Sequence, residues 1–167
     1  ARASGVIASA GGGGKVLQVV QAYITASASH VGNTWHAVTG YNQAITPTAA
    51  GSSFWVQWAI SASQYSMCSL FLDIDGAGYN QLTDYIADSA SSRTRTTAFQ
   101  SGDNNPGYLS GSILDTPTYS LTDVLTYEMR FFTHATTTSY LNRTVADGNN
   151  YYTGRGTSSI TVWEIAA

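Results

Sequence analysis

Apolar and polar residues alternate along this chain with a period of two. In SFWVQWAIS, Phe54, Val56, Trp58 and Ile60 fall on one face and Ser53, Gln57 and Ser61 on the other. MCSLFLDI places Cys68, Leu70, Leu72 and Ile74 together. VLTYEMRFF turns Leu125, Tyr127, Met129 and Phe131 one way and Thr126, Glu128 and Arg130 the other. A period of two marks half-buried strands of an antiparallel sheet. KVLQVVQAYIT is apolar on both faces, which predicts a strand covered on both sides. TRTTAFQS, YLSGSIL, SYLNRTV and the terminal SSITVWEIA are further strand candidates. No window carries the i, i+3, i+4, i+7 apolar spacing of an amphipathic helix over three turns.

Turn chemistry separates these runs. TPTAAGS, DGAGYN, SGDNNPG, DTPTYS and ADGNN supply Gly, Asn, Asp and Pro between them. About eight to ten short strands spaced this way predict an all-β, antiparallel jelly roll or β-sandwich. No internal repeat of 20 to 50 residues is present. Residues 1–14 are Gly-rich and predict an extended arm, and residues 15–167 the sandwich domain. Fixing an arm costs roughly 1–2 kcal/mol per residue, so an ordered arm needs a surface to lie on.

Composition narrows the function. Charged residues are 10% of the 167, against roughly 25% in an average soluble domain. Net charge is −3, and among the seven Lys and Arg only Arg93 and Arg95 sit close together. Nucleic-acid binding by counterion release needs a denser basic surface. The surface must instead be Ser, Thr, Asn, Gln, Gly and Tyr, and few charges favour association with other chains. Cys68 is the only cysteine, so no intrachain disulfide forms, and its apolar setting predicts a small buried hydrophobe. No run approaches the roughly 20 apolar residues of a membrane helix, and membrane insertion is not expected. Gly11 to Gly14 interrupt any signal-peptide-like segment at the start.

Candidate chemistry is sparse. In DIDGAGYN, Asp73 and Asp75 are oxygen ligands of the kind that bind Ca²⁺, but Gly76 comes too early for an EF-hand and Asp84 stands where Glu belongs. A β-turn after a strand accounts for the stretch better. His30, His36 and His134 share no metal-ligand spacing, and no HExxH, HxH or CxxC occurs. No GxSxG elbow is present. Glu128 beside Arg130 reads as a surface pair rather than a glycosidase acid. No cofactor is expected, and the chain reads as non-catalytic. Asn142-Arg143-Thr144 fits the glycosylation sequon, which matters only in a eukaryotic secretory route. Glu164 shares a face with Ile160 and Val162, so it is expected partly buried, with Arg155 or Arg143 as partner. Trp55, Phe71 and Phe132 fall on outward faces. A second layer, a subunit interface or a glycan platform would each account for them.

The terminal GRGTSSITVWEI, the early GGGKVLQVVQ and the central SRTRTTAF resemble, in order and spacing, the jelly-roll domains of bacteriophage virion proteins, especially those of marine and cyanobacterial phages. The resemblance covers most of residues 12–166. It implies a tail-fibre or head-decoration component located in the virion, assembled as a homotrimer and attached to other capsid or tail proteins. It supplies no catalytic motif. Trp55, Phe71 and Trp163 are the candidate interface aromatics, and Val6 and Ile7 the apolar residues of an attachment arm. The alternative is a glycan-binding, receptor-recognition module of a tail fibre, with YNQ, NNPGY and DGNNYY as recognition loops.

Overall fold

A computed structural model describes residues 14–89, 91–100, 104–134, 136–151 and 153–167. Among the described residues eleven strands are formed: β1 (Val16–Ile24), β2 (Ala28–Val31), β3 (His36–Ile45), β4 (Ser53–Ser63), β5 (Ser66–Ile74), β6 (Asn80–Gln81), β7 (Ala98–Gln100), β8 (Gly107–Asp115), β9 (Leu125–Phe132), β10 (Thr138–Leu141) and β11 (Ser158–Ile165). The single helical element among the described residues is a 3-10 turn at Thr83–Tyr85. The protein is an all-β sandwich of two antiparallel sheets, as the alternation predicts.

The first sheet runs β1-β11-β4-β8. β10 follows β11 along the same edge of β4, and β2 pairs beyond β10. The second sheet runs β3-β9-β5, with β7 and β6 in succession along the far edge of β5. Phe54, Val56, Trp58, Ile60, Ile160 and Val162 from the first sheet meet Cys68, Leu70, Leu125, Tyr127, Met129 and Phe131 from the second. All are buried, and each alternates with an outward residue on its own strand. Burial pushes the Cys68 thiol up to about 12, so it behaves as an inert hydrophobe.

β1 departs from expectation. It is an edge strand with one solvent face and is not covered on both sides. A bulge between Val16 and Gln18 resets the alternation, so Val20, Ala22 and Ile24 turn inward while Val19, Gln21 and Tyr23 turn out. β11, by contrast, is central. It is hydrogen-bonded to β1 on one side and β4 on the other, so the last strand of the chain is tied down along its whole length. Gly14 joins this end of the sheet through its N–H on the Ala166 carbonyl, 3.0 Å. Val6 and Ile7 of the expected arm lie outside the described residues.

Two close fits fix the first sheet. A Cβ at Gly111 would lie 2.6 Å from Cζ2 of the Trp58 indole, so β8 and β4 pair only because position 111 has no side chain. Asn142 fills the gap where β10 hands over to β11. Its φ of 58° lies in the left-handed region, which Asn tolerates. Its Nδ2 donates to the carbonyls of Ile24 and Ala26, and its Oδ1 accepts from Ser158 Oγ. Asn142 is therefore buried and fully engaged, so the sequon it heads is closed to modification in the folded protein.

Glu164 is fully buried and has no arginine partner among the described residues, contrary to the sequence expectation. Arg143 and Arg155 both reach Asp147 instead. The loop between β3 and β4 supplies the partners of the Glu164 carboxylate. Thr48 N, Ala49 N, Thr48 Oγ1 and Ser52 Oγ donate to it at 2.8–3.0 Å, and Gln18 Nε2 at 2.7 Å. Burial pushes this carboxyl up, but the donors from Gln18, Thr48 and Ala49 outweigh it and hold it below the usual range.

Two outcomes follow for Glu164. An unfolded glutamate titrates near 4.3, above the folded value, so in that interval the unfolded chain binds more protons. Stability from this group is complete above that pH and is lost as pH falls through the folded pKa. Glu164→Ala strands the Thr48 and Ala49 N–H groups and is expected to cost about 3 kcal/mol. That is roughly 6–12 °C in Tm for a chain of this size. Thermal melts of both proteins from pH 7 downwards check it: the gap between the two Tm values should be widest at pH 7 and narrow as pH falls below the range of an unfolded glutamate.

Candidate functional site

The alternation that builds the core also sorts the outer faces, and the strand register assembles them into rows. On the first sheet Val19 pairs Trp163, Trp163 pairs Trp55, and Trp55 pairs Leu114. The result is an apolar row across four strands. Val19, Trp55 and Leu114 are 50%, 43% and 48% exposed, and Trp163 is half-buried. Trp55 and Trp163, separate candidates in the sequence, are thus neighbours.

The next row is polar: Gln21, Thr161, Gln57 and Ser112. After it comes a row of Tyr23, Ser159, Ala59 and Ser110. Small side chains between bulky rows leave a trough of about 390 Å³ lined by Gln21, Gln57, Thr161, Ser112, Ser110 and Ser159. Tyr23 and Tyr108, both exposed, stand at its far side. Gln21 Nε2 donates to Thr161 Oγ1 at 2.8 Å, while the side-chain amide of Gln57 has no hydrogen-bond partner among the described residues. The three rows carry no charged residue.

The outer face of the second sheet is different. Phe71 lies there as the alternation predicts, but it is only 6% exposed. Trp35, from the segment between β2 and β3, packs on it edge-on with ring centres 5.8 Å apart, and also meets Phe132 at 5.4 Å. The Arg130 guanidinium lies 4.9 Å over the Phe71 ring and 4.6 Å over Tyr79, and donates to Glu128 Oε1 at 2.6 Å. The Glu128–Arg130 pair forms, but with Glu128 buried rather than at the surface as expected. The same stack corrects the picture of Phe71 as an open interface aromatic, because its surface is already covered by this chain. Nearer the edge, Phe99 pairs Met67 and Met67 pairs Phe132. Phe99 is 54% exposed and stands between two mostly apolar hollows of about 330 and 410 Å³. Tyr65, Met67, His134 and Thr137 line one, and Met67, Arg93, Thr94 and Thr96 the other.

The titratable groups are dispersed. Asp73 Oδ1 accepts the Gly78 N–H at 2.7 Å, and Asp75 adopts a left-handed φ of 53°, so the pair shapes a turn. Asp115, a buried carboxyl at the end of β8 that no sequence signal marked, accepts from Tyr127 Oη at 2.9 Å. Burial raises both pKa values. His30 and His36 lie with ring centres 4.5 Å apart, while His134 sits at the Phe99 hollow. Among the described residues no three His, Cys, Asp or Glu side chains gather as a metal site. No helix among them is long and apolar enough to cross a membrane. No protein-family model matches the chain, and no curated protein matches it.

His30 generates a pH prediction. Burial, then the neighbouring His36, lowers its pKa from 6.5 to about 4. Between those values the unfolded chain binds more protons, so stability is complete above 6.5 and declines as pH falls towards 4. Denaturant midpoints measured from pH 7 to pH 4 should fall for the native protein, and the fall should be shallower in His30→Gln.

Proposed function

We propose that this chain is a non-catalytic structural module of a bacteriophage virion, a capsid decoration or fibre head that assembles as a homotrimer. The observation that carries the assembly reading is the strip Phe99–Met67–Phe132, with Tyr65 beside it. An exposed ring between two apolar hollows has the form of an interface anchor with sockets on either side. A chain with 10% charged residues offers little electrostatic resistance to contact between copies. The virion assignment rests on the resemblance of GRGTSSITVWEI and GGGKVLQVVQ to phage structural proteins.

Light scattering at micromolar concentration should give the mass of three chains. A buried aromatic anchor is worth about 2 kcal/mol, roughly thirty-fold in dissociation. Phe99→Asp should therefore shift the protein to monomer with an unchanged circular-dichroism spectrum. A native protein that stays monomeric would sink the reading.

Attachment to the particle is assigned to residues 1–14, with Val6 and Ile7 as anchors. Fully burying two such side chains is worth roughly 3–6 kcal/mol before the cost of ordering the arm. Binding through one arm is then weak, and three arms on a trimer supply avidity. Removing residues 1–13 should leave folding and trimerisation intact and abolish attachment to particles in a sedimentation assay. Normal attachment would transfer that role to the sandwich.

A second reading, recognition of a host-surface glycan at a fibre tip, is favoured by one feature: the uncharged polar trough on the first sheet beside Trp55 and Trp163.

A further inference from the structure

We propose that the trough on the outer face of the first sheet binds a neutral oligosaccharide, with Trp55 and Trp163 as its stacking wall and Gln57 as its principal hydrogen-bonding group. This inference rests on the glycan-recognition reading and adds to it the site and the class of sugar.

The dimensions come from the register. Four strands spaced about 4.8 Å apart make the trough roughly 14 Å long, and rows on one face lie about 7 Å apart along the strands. That is room for a short run of pyranose rings lying across the strands. The floor is set by small residues, Ala59, Ser110, Ser112, Ser159 and Thr161, and the Val19–Trp163–Trp55–Leu114 row is the adjacent row on the same face, placed by the register to serve as a wall.

The chemistry fits the same ligand. A sugar presents hydroxyls that both donate and accept, on a ring whose C–H faces are apolar. Gln57 offers an amide with both functions and no partner among the described residues, and the serines add hydroxyls. The indole rings of Trp55 and Trp163 supply flat apolar surface next to those groups, the combination that orients a ligand in a mostly preformed site.

Charge selects among sugars. No Lys, Arg, Asp or Glu occurs in the three rows. A uronate or sialate would lose part of its hydration with no cation to replace it, so the trough favours neutral rings. Other copies of the chain are the competing occupant. A flat protein surface laid over this face would bury the Gln57 amide and the serine hydroxyls without assured partners, which is unfavourable. The hollows at Phe99 carry no such polar floor and suit protein side chains better.

The test uses the full chain in its native assembly. A printed array of neutral oligosaccharides (glucans, galactans, mannans and N-acetylated chains), with uronate and sialylated chains alongside, finds the best-bound compound. Calorimetric titration with that compound then compares the native protein with Trp55→Ala and Gln57→Ala. Both side chains are exposed, so both variants should keep the native spectrum and mass. The expected result is preference for a neutral compound and an affinity loss of about ten-fold or more in each variant. Neutral binding that survives in both variants overturns the trough as the site but leaves glycan recognition standing. Preference for acidic chains overturns the neutral assignment. No binding across the array removes the recognition reading and the site together. A change of mass in Trp55→Ala makes this face a contact between copies and overturns the proposal.

Discussion

A single buried carboxylate governs one end of this sandwich. Glu164 is the penultimate residue of the central strand β11, with no cation among the described residues paired to it. A charge in that position is tolerable only if polar groups surround it. The segment between β3 and β4 meets that demand with two backbone N–H groups and two hydroxyls, and β1 adds the amide of Gln18. Tyr119 holds the same segment from the other side. Its hydroxyl donates to the Ala49 carbonyl and accepts from the Ser52 N–H. The crossover between sheets is thereby fixed to β11 and to the β8–β9 connection at once.

That anchoring has consequences across the first sheet. Glu164 pairs Phe54 on one side and Gln18 on the other, so the carboxylate fixes the alignment of three strands. A slip of one residue would send Glu164 to solvent and Trp163 into the core. Gly111 fixes the fourth strand independently, because only there can β8 pass over the Trp58 ring. The outer rows are a result of these two inward fits. Trp55 and Trp163 meet because Phe54 and Glu164 meet beneath them.

The sequence makes the strands legible and hides what joins them. Period-two alternation marks β4, β5 and β9 with their inward residues correctly assigned, because half-burial writes itself directly into residue type. β1 is misread because Val16, Leu17, Val19 and Val20 look doubly covered, and a bulge cannot be seen without its partner strand. The partners of Glu164 are missed for a related reason. Backbone N–H groups carry no residue signature, so sequence reasoning looks for arginines. Phe71 points outward as expected, but its cover is Trp35, from a segment with no periodic signal. Trp55 and Trp163 are each identifiable; their adjacency depends on a pairing between strands about a hundred positions apart in the chain.

The placement of charge ties the fold to what the surface can do. Ten Asp and Glu are present, and three of them, Asp115, Glu128 and Glu164, are buried and committed to internal partners. Arg130 is withdrawn with Glu128 beneath a stack of aromatic rings. The outer surface is therefore poorer in charge than the composition alone implies. Long-range electrostatic steering has little to act on, and contacts on either face must be set by area, shape and short-range hydrogen bonds. Such contacts are weakly screened by salt. The apolar strip at Phe99 and the polar trough beside Trp55 divide those short-range terms between them. One offers surface to exclude water, and the other offers uncharged donors and acceptors that water or a sugar satisfies equally well.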